Sequence, residues 1–346
     1  MPYGTLALDA IQTSGNLTIT GNTVTTGALV ASNMPGRNRL INGAMMVDQR
    51  NSGNARTILS SATTVTYTVD RWYAYSTGAN VTGQQVTGSV SNTYNYRFTG
   101  AASVTGIGFG QRIEALNSAD LAGTTATLSV DLANSVLTTV TWTAFYANTT
   151  NTFGNISTPT RTQIATGTFT VTSTVTRYST QIAVPAAATT GIDIVFSVGA
   201  QTSGTWTVGN AQFEAGAFAT PFERRLIGQE IPLCQRYYYQ VLASNTAGGN
   251  RSMWGGYVRG STSFEGFYRP FPVPMRATPN FSYTGAVGNY NVYNGSTAGA
   301  CSSITVSDID AYGSILTVAT VQTYTVGTAG QFYAPQGNNL VFSSEL

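Results

Sequence analysis

Histidine and lysine are both absent from this 346-residue chain, and all 16 basic residues are arginine. A histidine base or metal ligand, a Schiff-base lysine, a P-loop lysine and every Ser-His or Cys-His pairing are therefore excluded. Any catalysis would have to run on the 14 Asp and Glu residues. Glycoside hydrolysis needs two acids about 5–9.5 Å apart in a groove. No spacing here singles out such a pair, so the chain reads as non-catalytic. Asp308 and Asp310 share a side if extended and could hold Ca²⁺ or hydrogen-bond a sugar. The further carboxylates of a dedicated calcium loop are missing, which favours an ordinary Asx turn. Cys234 and Cys301 fit no metal or redox spacing and read as buried thiols. No metal and no cofactor is expected.

The chain does offer aromatic rings beside amides. Rings stack on sugar CH groups while Asn, Gln, Asp or Arg reach the hydroxyls, and rigid strands present them at small entropic cost. Two stretches, 251–259 and 262–269, carry Trp254, Tyr257, Phe264, Phe267 and Tyr268 on both alternation phases. Some of these rings must leave the core or enter a subunit interface. Residues 288–295 are rich in Asn and Tyr and poor in aliphatics, which fits a binding loop or an ordinary hairpin. The candidate glycan-binding set is Trp254, Tyr257, Tyr268, Tyr290, Asn291, Tyr293 and Asn294.

The elements that must position these residues are strands. Charged residues make up 9% of the chain, against roughly 25% in ordinary soluble domains. About one residue in six is Thr, which suits a pleated strand facing water, whereas the Glu and Lys of helix surfaces are scarce. The composition says all-β. A net charge of +2 with one basic doublet, Arg224-Arg225, gives no electropositive stripe, so no nucleic-acid partner is expected. No run of 18 apolar residues and no signal-peptide pattern is visible, so neither membrane insertion nor secretion is expected, and the chain is made in the cytoplasm.

Four regions follow. In residues 1–36, Gly15, Gly21 and Gly27 recur at a six-residue interval with Leu17, Ile19, Val24 and Leu29 as apolar positions. So little apolar surface cannot offset an ordering cost of roughly 1–2 kcal/mol per residue, which leaves a flexible arm or, as we read it, copies intertwined in a trimer. Residues 37–223 alternate with period two, as in Ala126, Leu128, Val130 and Leu132, or Ile192, Ile194, Phe196 and Val198. Many short antiparallel strands of this kind imply a two-sheet, jelly-roll-like sandwich. Residues 224–236 break the alternation with Leu226, Ile227, Ile231 and Leu233 near helical spacing and Pro232 limiting the length, which reads as a short helical connector, a hinge or spacer. Residues 237–346 resume strands as a second, aromatic-rich β-sandwich. In the closing block of the first sandwich, Phe213, Phe218 and Phe222 are expected in the core.

Six blocks also occur in a recognisable order: Asn38-Arg-Leu-Ile-Asn-Gly-Ala44, Tyr67-Thr-Val-Asp-Arg-Trp-Tyr73, Gln111-Arg-Ile-Glu114, residues 211–223, Cys234-Gln-Arg-Tyr-Tyr-Tyr239 and Met275-Arg-Ala-Thr-Pro279. Together they resemble bacteriophage tail-fibre and related virion appendage proteins, over about residues 38–280. The resemblance implies a homotrimer with a carbohydrate-binding-module-like jelly roll. It also implies N-terminal docking to other virion proteins and attachment to host surface polysaccharide or lipopolysaccharide by the C-terminal tip. Two other readings stay open: a purely structural head fibre, capsid decoration or baseplate spacer, and a depolymerase using a carboxylate pair. The few charges cluster in these blocks, at Asp70, Arg71, Arg112, Glu114, Glu214 and Glu223, and read as packing ion pairs across the sandwich or between subunits.

Overall fold

The computed structural model describes residues 36–61, 63–88, 94–243 and 249–346. Leu17, Ile19, Val24 and Leu29 lie outside the described residues.

The first domain opens with β1 (Arg56–Ile58), β2 (Thr66–Tyr67), β3 (Tyr73–Thr77), β4 (Val81–Thr87), β5 (Tyr94–Thr99) and β6 (Gly106–Ile113). It continues with β7 (Thr125–Asn134), β8 (Thr139–Ala147), β9 (Arg161–Thr170), β10 (Thr176–Ala183), β11 (Ile192–Val198) and β12 (Thr205–Ala215). Two six-stranded sheets result, in the orders β1-β4-β5-β12-β7-β10 and β2-β3-β6-β11-β8-β9. The chain crosses repeatedly from one sheet to the other, as in a jelly roll. Period-two alternation is what closes it: Ala126, Leu128, Val130 and Leu132 meet Ile192, Ile194 and Phe196 in one fully buried cluster.

After α1 (Ile227–Gln235) the second domain comprises β13 (Tyr238–Val241), β14 (Asn250–Gly260), β15 (Ser263–Gly266), β16 (Arg269–Pro270) and β17 (Asn280–Tyr283). It ends with β18 (Asn291–Tyr293), β19 (Ala298–Ser307), β20 (Gly313–Thr320), β21 (Ala329–Pro335) and β22 (Leu340–Ser343). Every pairing between these named strands, in both domains, is antiparallel. The larger, seven-stranded sheet runs β15-β14-β21-β18-β19-β20-β16, and an added β15–β20 pairing rolls it closed. The smaller sheet, β13-β22-β17, sends Leu340 and Phe342 into the same core as Trp254, Phe264 and Phe332 of the roll. Among the described residues no helix is long and apolar enough to cross a membrane.

The joint between the domains corrects the hinge reading of residues 224–236. Cys234 is fully buried and shares a small apolar cluster with Ile41, Val47 and Tyr237. The carboxylate of Glu230, also buried, accepts the Asn42 N–H at 2.6 Å and an Arg225 N–H at 3.3 Å. A buried carboxylate fixed by a backbone N–H of the first domain cannot serve as a free spacer. Around it the arginines interlock. Arg71, fully buried, pairs with Glu345, donates to the Arg112 carbonyl at 2.6 Å and lies 3.4 Å from the Tyr237 ring centre. Its backbone takes φ 72°, a left-handed conformation unfavourable for a side chain of this bulk, to put the guanidinium there. Arg50 stacks on Tyr238 at 3.5 Å and reaches the other Glu345 oxygen at 2.6 Å. Arg112 donates to the Leu346 carbonyl at 2.6 Å, and Arg236 to Glu114 at 3.0 Å. The ion pairs expected within the blocks thus include several that join the two domains.

Two core expectations fail. Phe213 is fully buried, but Phe218 is 68% exposed and Phe222 is only half-buried. β12 ends at Ala215 and Gly216, at φ 109°, turns the chain away, so Phe218 lies in the exit loop against Thr127, Ser179, Thr180 and Gln181.

Candidate functional site

The outer face of the roll is built by three strands. Tyr333 on β21 pairs with Ser252 on β14 and with Asn291 on β18, while Gln331 pairs with Gly255 and Tyr293. Residues directly opposite share a face, so Ser252, Tyr333 and Asn291 form one outward row, with Gln331 and Tyr293 in the next. Phe332, Trp254 and Val292 point the other way, into the core. A bulge between Ser252 and Trp254 makes this possible: with one extra residue in β14, Met253 and Trp254 both turn inward while Ser252 and Gly255 both face solvent. Three shallow depressions meet at Ser252. One of about 240 Å³ is lined by Asn250, Tyr293, Gln331 and Tyr333 as well. A second of about 330 Å³ is lined by Trp254, Phe267, Tyr268 and Arg269, and a third of about 180 Å³ by Tyr239, Gln240, Arg251 and Arg269. Rings, amides and hydroxyls converge there, with Arg251 and Arg269 on one flank.

Among the residues singled out from sequence, Asn291, Tyr293 and Tyr268 line or border these depressions. Two others belong to the core. Trp254 is 4% exposed: its indole N–H donates to the Phe267 carbonyl at 2.7 Å beneath the Arg269 guanidinium. Tyr290 is completely buried, stacked on Phe332 with centroids 5.5 Å apart and its hydroxyl 2.8 Å from the Thr284 carbonyl. Burial pushes that hydroxyl up to about 12. Both fill volume the roll cannot leave empty: Tyr290 has no exposed surface, and Trp254 keeps only 4% of its surface exposed where it lines the second depression. Asn294 is engaged in its own turn, its side-chain oxygen accepting the Thr297 N–H at 2.9 Å. Tyr257, half-buried, donates to Glu265 at 2.9 Å, and that carboxylate, which Arg259 also holds, raises the tyrosine hydroxyl above its ordinary range.

Ser252, Gln331 and Tyr333 were not singled out from sequence. The alternation Gln331-Phe332-Tyr333 is legible, but the bulge that brings Ser252 beside it is not.

The jelly roll carries a second outward face. Tyr75 on β3 pairs with Gly108, Gly108 with Ser197, and Ser197 with Thr141, a row completed by Thr168. A Cβ on Gly108 would come within 2.2 Å of the Tyr75 ring, so only glycine lets that ring lie across the sheet. The next row is Tyr73, Gly110, Val195, Thr143 and Thr166. One end of this face is closed by charge: Asp193, fully buried, is bound by the Tyr73 hydroxyl at 2.9 Å and by Arg161. That acid is committed to packing.

Asp310 accepts the Tyr312 and Gly313 N–H groups at 2.7 and 3.0 Å, an Asx turn. Cys234 and Cys301 are buried free thiols, and desolvation pushes Cys301 up to about 12. Among the described residues no three His, Cys, Asp or Glu side chains are grouped to hold a metal.

No family model matches this chain, and no curated protein does. Several solved structures are similar. A CBM4 structure aligns with TM-score 0.32 and 14% identity over 51% of this chain and 98% of its own. The family 11 carbohydrate-binding module of cellulosomal cellulase Lic26A-Cel5E from Clostridium thermocellum aligns with TM-score 0.29 and 15% identity over 46% and 99%. The enzymatically active domain of bacteriophage CBA120 tailspike protein 4 aligns with TM-score 0.31 and 15% identity over 52% of this chain and 21% of its own.

Proposed function

We propose that the chain is a non-catalytic virion appendage subunit that attaches a phage particle to host surface glycans as a homotrimer. The observation that carries the glycan reading is the outer face of the roll, where Ser252, Asn291, Gln331, Tyr293 and Tyr333 stand in paired rows on rigid strands. Two rings, two amides and a hydroxyl suit the CH faces and hydroxyls of a sugar. Arg251 and Arg269 beside them favour glycans bearing acidic groups, as surface polysaccharide or lipopolysaccharide can. The Tyr75 face of the jelly roll, lined with threonine hydroxyls, gives a second, neutral platform. The appendage part of the proposal is supported by the ordered blocks between residues 38 and 280; the virion is then the site of action, and residues 1–36 dock to its other proteins. Three chains engaging one surface would multiply a weak contact by roughly 10²–10⁴ through effective concentration.

Adsorption competition tests this. Purified protein should coat susceptible cells and slow phage attachment, while host polysaccharide incubated with it keeps its chain length. Shortened polysaccharide would establish a depolymerase, and absence of any cell binding would establish a purely structural element.

A further inference from the structure

We propose, on the strength of the glycan reading above, that the depression between β13 and the start of β14 is an anion pocket. It holds the carboxylate or phosphate group of a glycan whose sugar rings lie on the outer face of the roll. Ten of the 16 arginines pair with a carboxylate. Arg251 and Arg269, which line this depression together, do not pair with one among the described residues. Arg269 is held by neutral groups: its guanidinium donates to the Met253 carbonyl, reaches the Tyr239 hydroxyl at 3.5 Å and lies 5.3 Å from the Trp254 ring centre. Arg251 is exposed, and its side chain makes no hydrogen bond or ion pair among the described residues. No Asp or Glu lines this depression or either of its two neighbours.

Two guanidinium groups lining one space with no carboxylate beside them leave a positive field that an anionic ligand neutralises. The arginine fork matches the paired oxygens of a carboxylate or phosphate. Arg269, already fixed by its contacts, gives up little rotamer freedom on binding. The Tyr239 hydroxyl adds a neutral donor to the same wall. Gln240 does not compete for the ligand, because its amide N–H donates to the Gln49 carbonyl and its amide oxygen accepts from Asn339 at 3.1 Å. At about 180 Å³ the depression is smaller than the roughly 300 Å³ of a cleft for a whole small ligand, so it takes a substituent rather than a sugar ring. Ser252 lines both this depression and the one formed by Asn250, Tyr293, Gln331 and Tyr333. A sugar seated on those rows therefore places an acidic substituent beside Arg251, one residue before Ser252 on β14.

Titration of the full-length chain with host surface polysaccharide in native, carboxyl-reduced and hydrofluoric-acid-dephosphorylated form tests the pocket. One treatment should weaken binding to the wild-type protein by at least roughly tenfold. Loss on carboxyl reduction identifies the bound group as a uronate, and loss on dephosphorylation identifies it as a phosphate. Arg251→Gln, which has no partner in the fold to lose, should weaken binding of the native polysaccharide by a similar factor, bind the treated form as the wild type does, and keep its urea midpoint. Equal affinity of the wild type for all three forms, or undiminished affinity in Arg251→Gln, would overturn the anion pocket and leave the glycan reading standing. Absence of binding to every form by the wild type would overturn both.

Discussion

The joint between the domains and the outer face of the roll are built from opposite materials. At the joint, Arg50, Arg71, Arg112 and Arg236 meet Glu114, Glu345 and the rings of Tyr237 and Tyr238, with Arg50, Arg71, Glu114 and Glu345 largely out of solvent. On the roll, Ser252, Asn291, Tyr293, Gln331 and Tyr333 stand on paired strands and face solvent. Most of the ordered blocks of sequence converge on the first region, and every residue of the second lies outside them. The recognisable blocks thus set the geometry between two β domains, while the surface available to a ligand is built from strand alternation together with one bulge in β14.

The largest expected effect breaks the joint. Arg71→Ala leaves Glu345, whose side chain is 6% exposed, without its closest partner, and should cost about 3–5 kcal/mol in urea unfolding. A loss below about 1 kcal/mol would mean that the joint is not held by its ions. Within the roll, Phe332→Ala should cost about 3–5 kcal/mol by opening a core cavity, whereas Tyr333→Ala, one residue on and facing out, should cost less than about 1 kcal/mol. Equal costs would erase the distinction between the two faces.

A third experiment reads the joint through pH. Burial raises the Asp70 carboxyl to about 7, with Arg50 and the Gln49 side chain pulling it down and Glu345 and Asp48 pushing it up. The folded state therefore holds this proton more tightly than the unfolded chain. The group's contribution is fully present below pH 3.8, the unfolded value, is lost as pH rises from there to about 7, and is flat above. Asp70→Asn should remove that part of the stability profile, a change of a few kcal/mol between the two limits. A parallel profile in the variant would place the titration elsewhere. The smallest effect belongs to the exposed pair Arg39–Asp120: Asp120→Ala should shift stability by less than about 0.5 kcal/mol.

The all-β architecture is legible because period two survives any topology, and the burial of Leu128, Val130 and Phe196 follows directly from it. Pairing of the charges is legible too, since the few ions cluster in the same blocks of sequence. What cannot be read is whatever depends on a partner distant in sequence. The α1 segment looks like a spacer until Asn42 is seen to hold Glu230. Trp254 and Tyr290 resemble surface rings because aromatics fill both phases around them; the β14 bulge and the rolling of the sheet decide which go inside. Phe218 passes for core because the turn at Gly216 is invisible in an alternation count.

The most direct test of the account is calorimetric titration of purified host surface polysaccharide into the wild-type protein and into the double variant Tyr293→Ala, Tyr333→Ala. The account predicts a dissociation constant at least roughly tenfold weaker, about 1.4 kcal/mol, with the urea midpoint nearly unchanged. Undiminished affinity in a folded variant would contradict it.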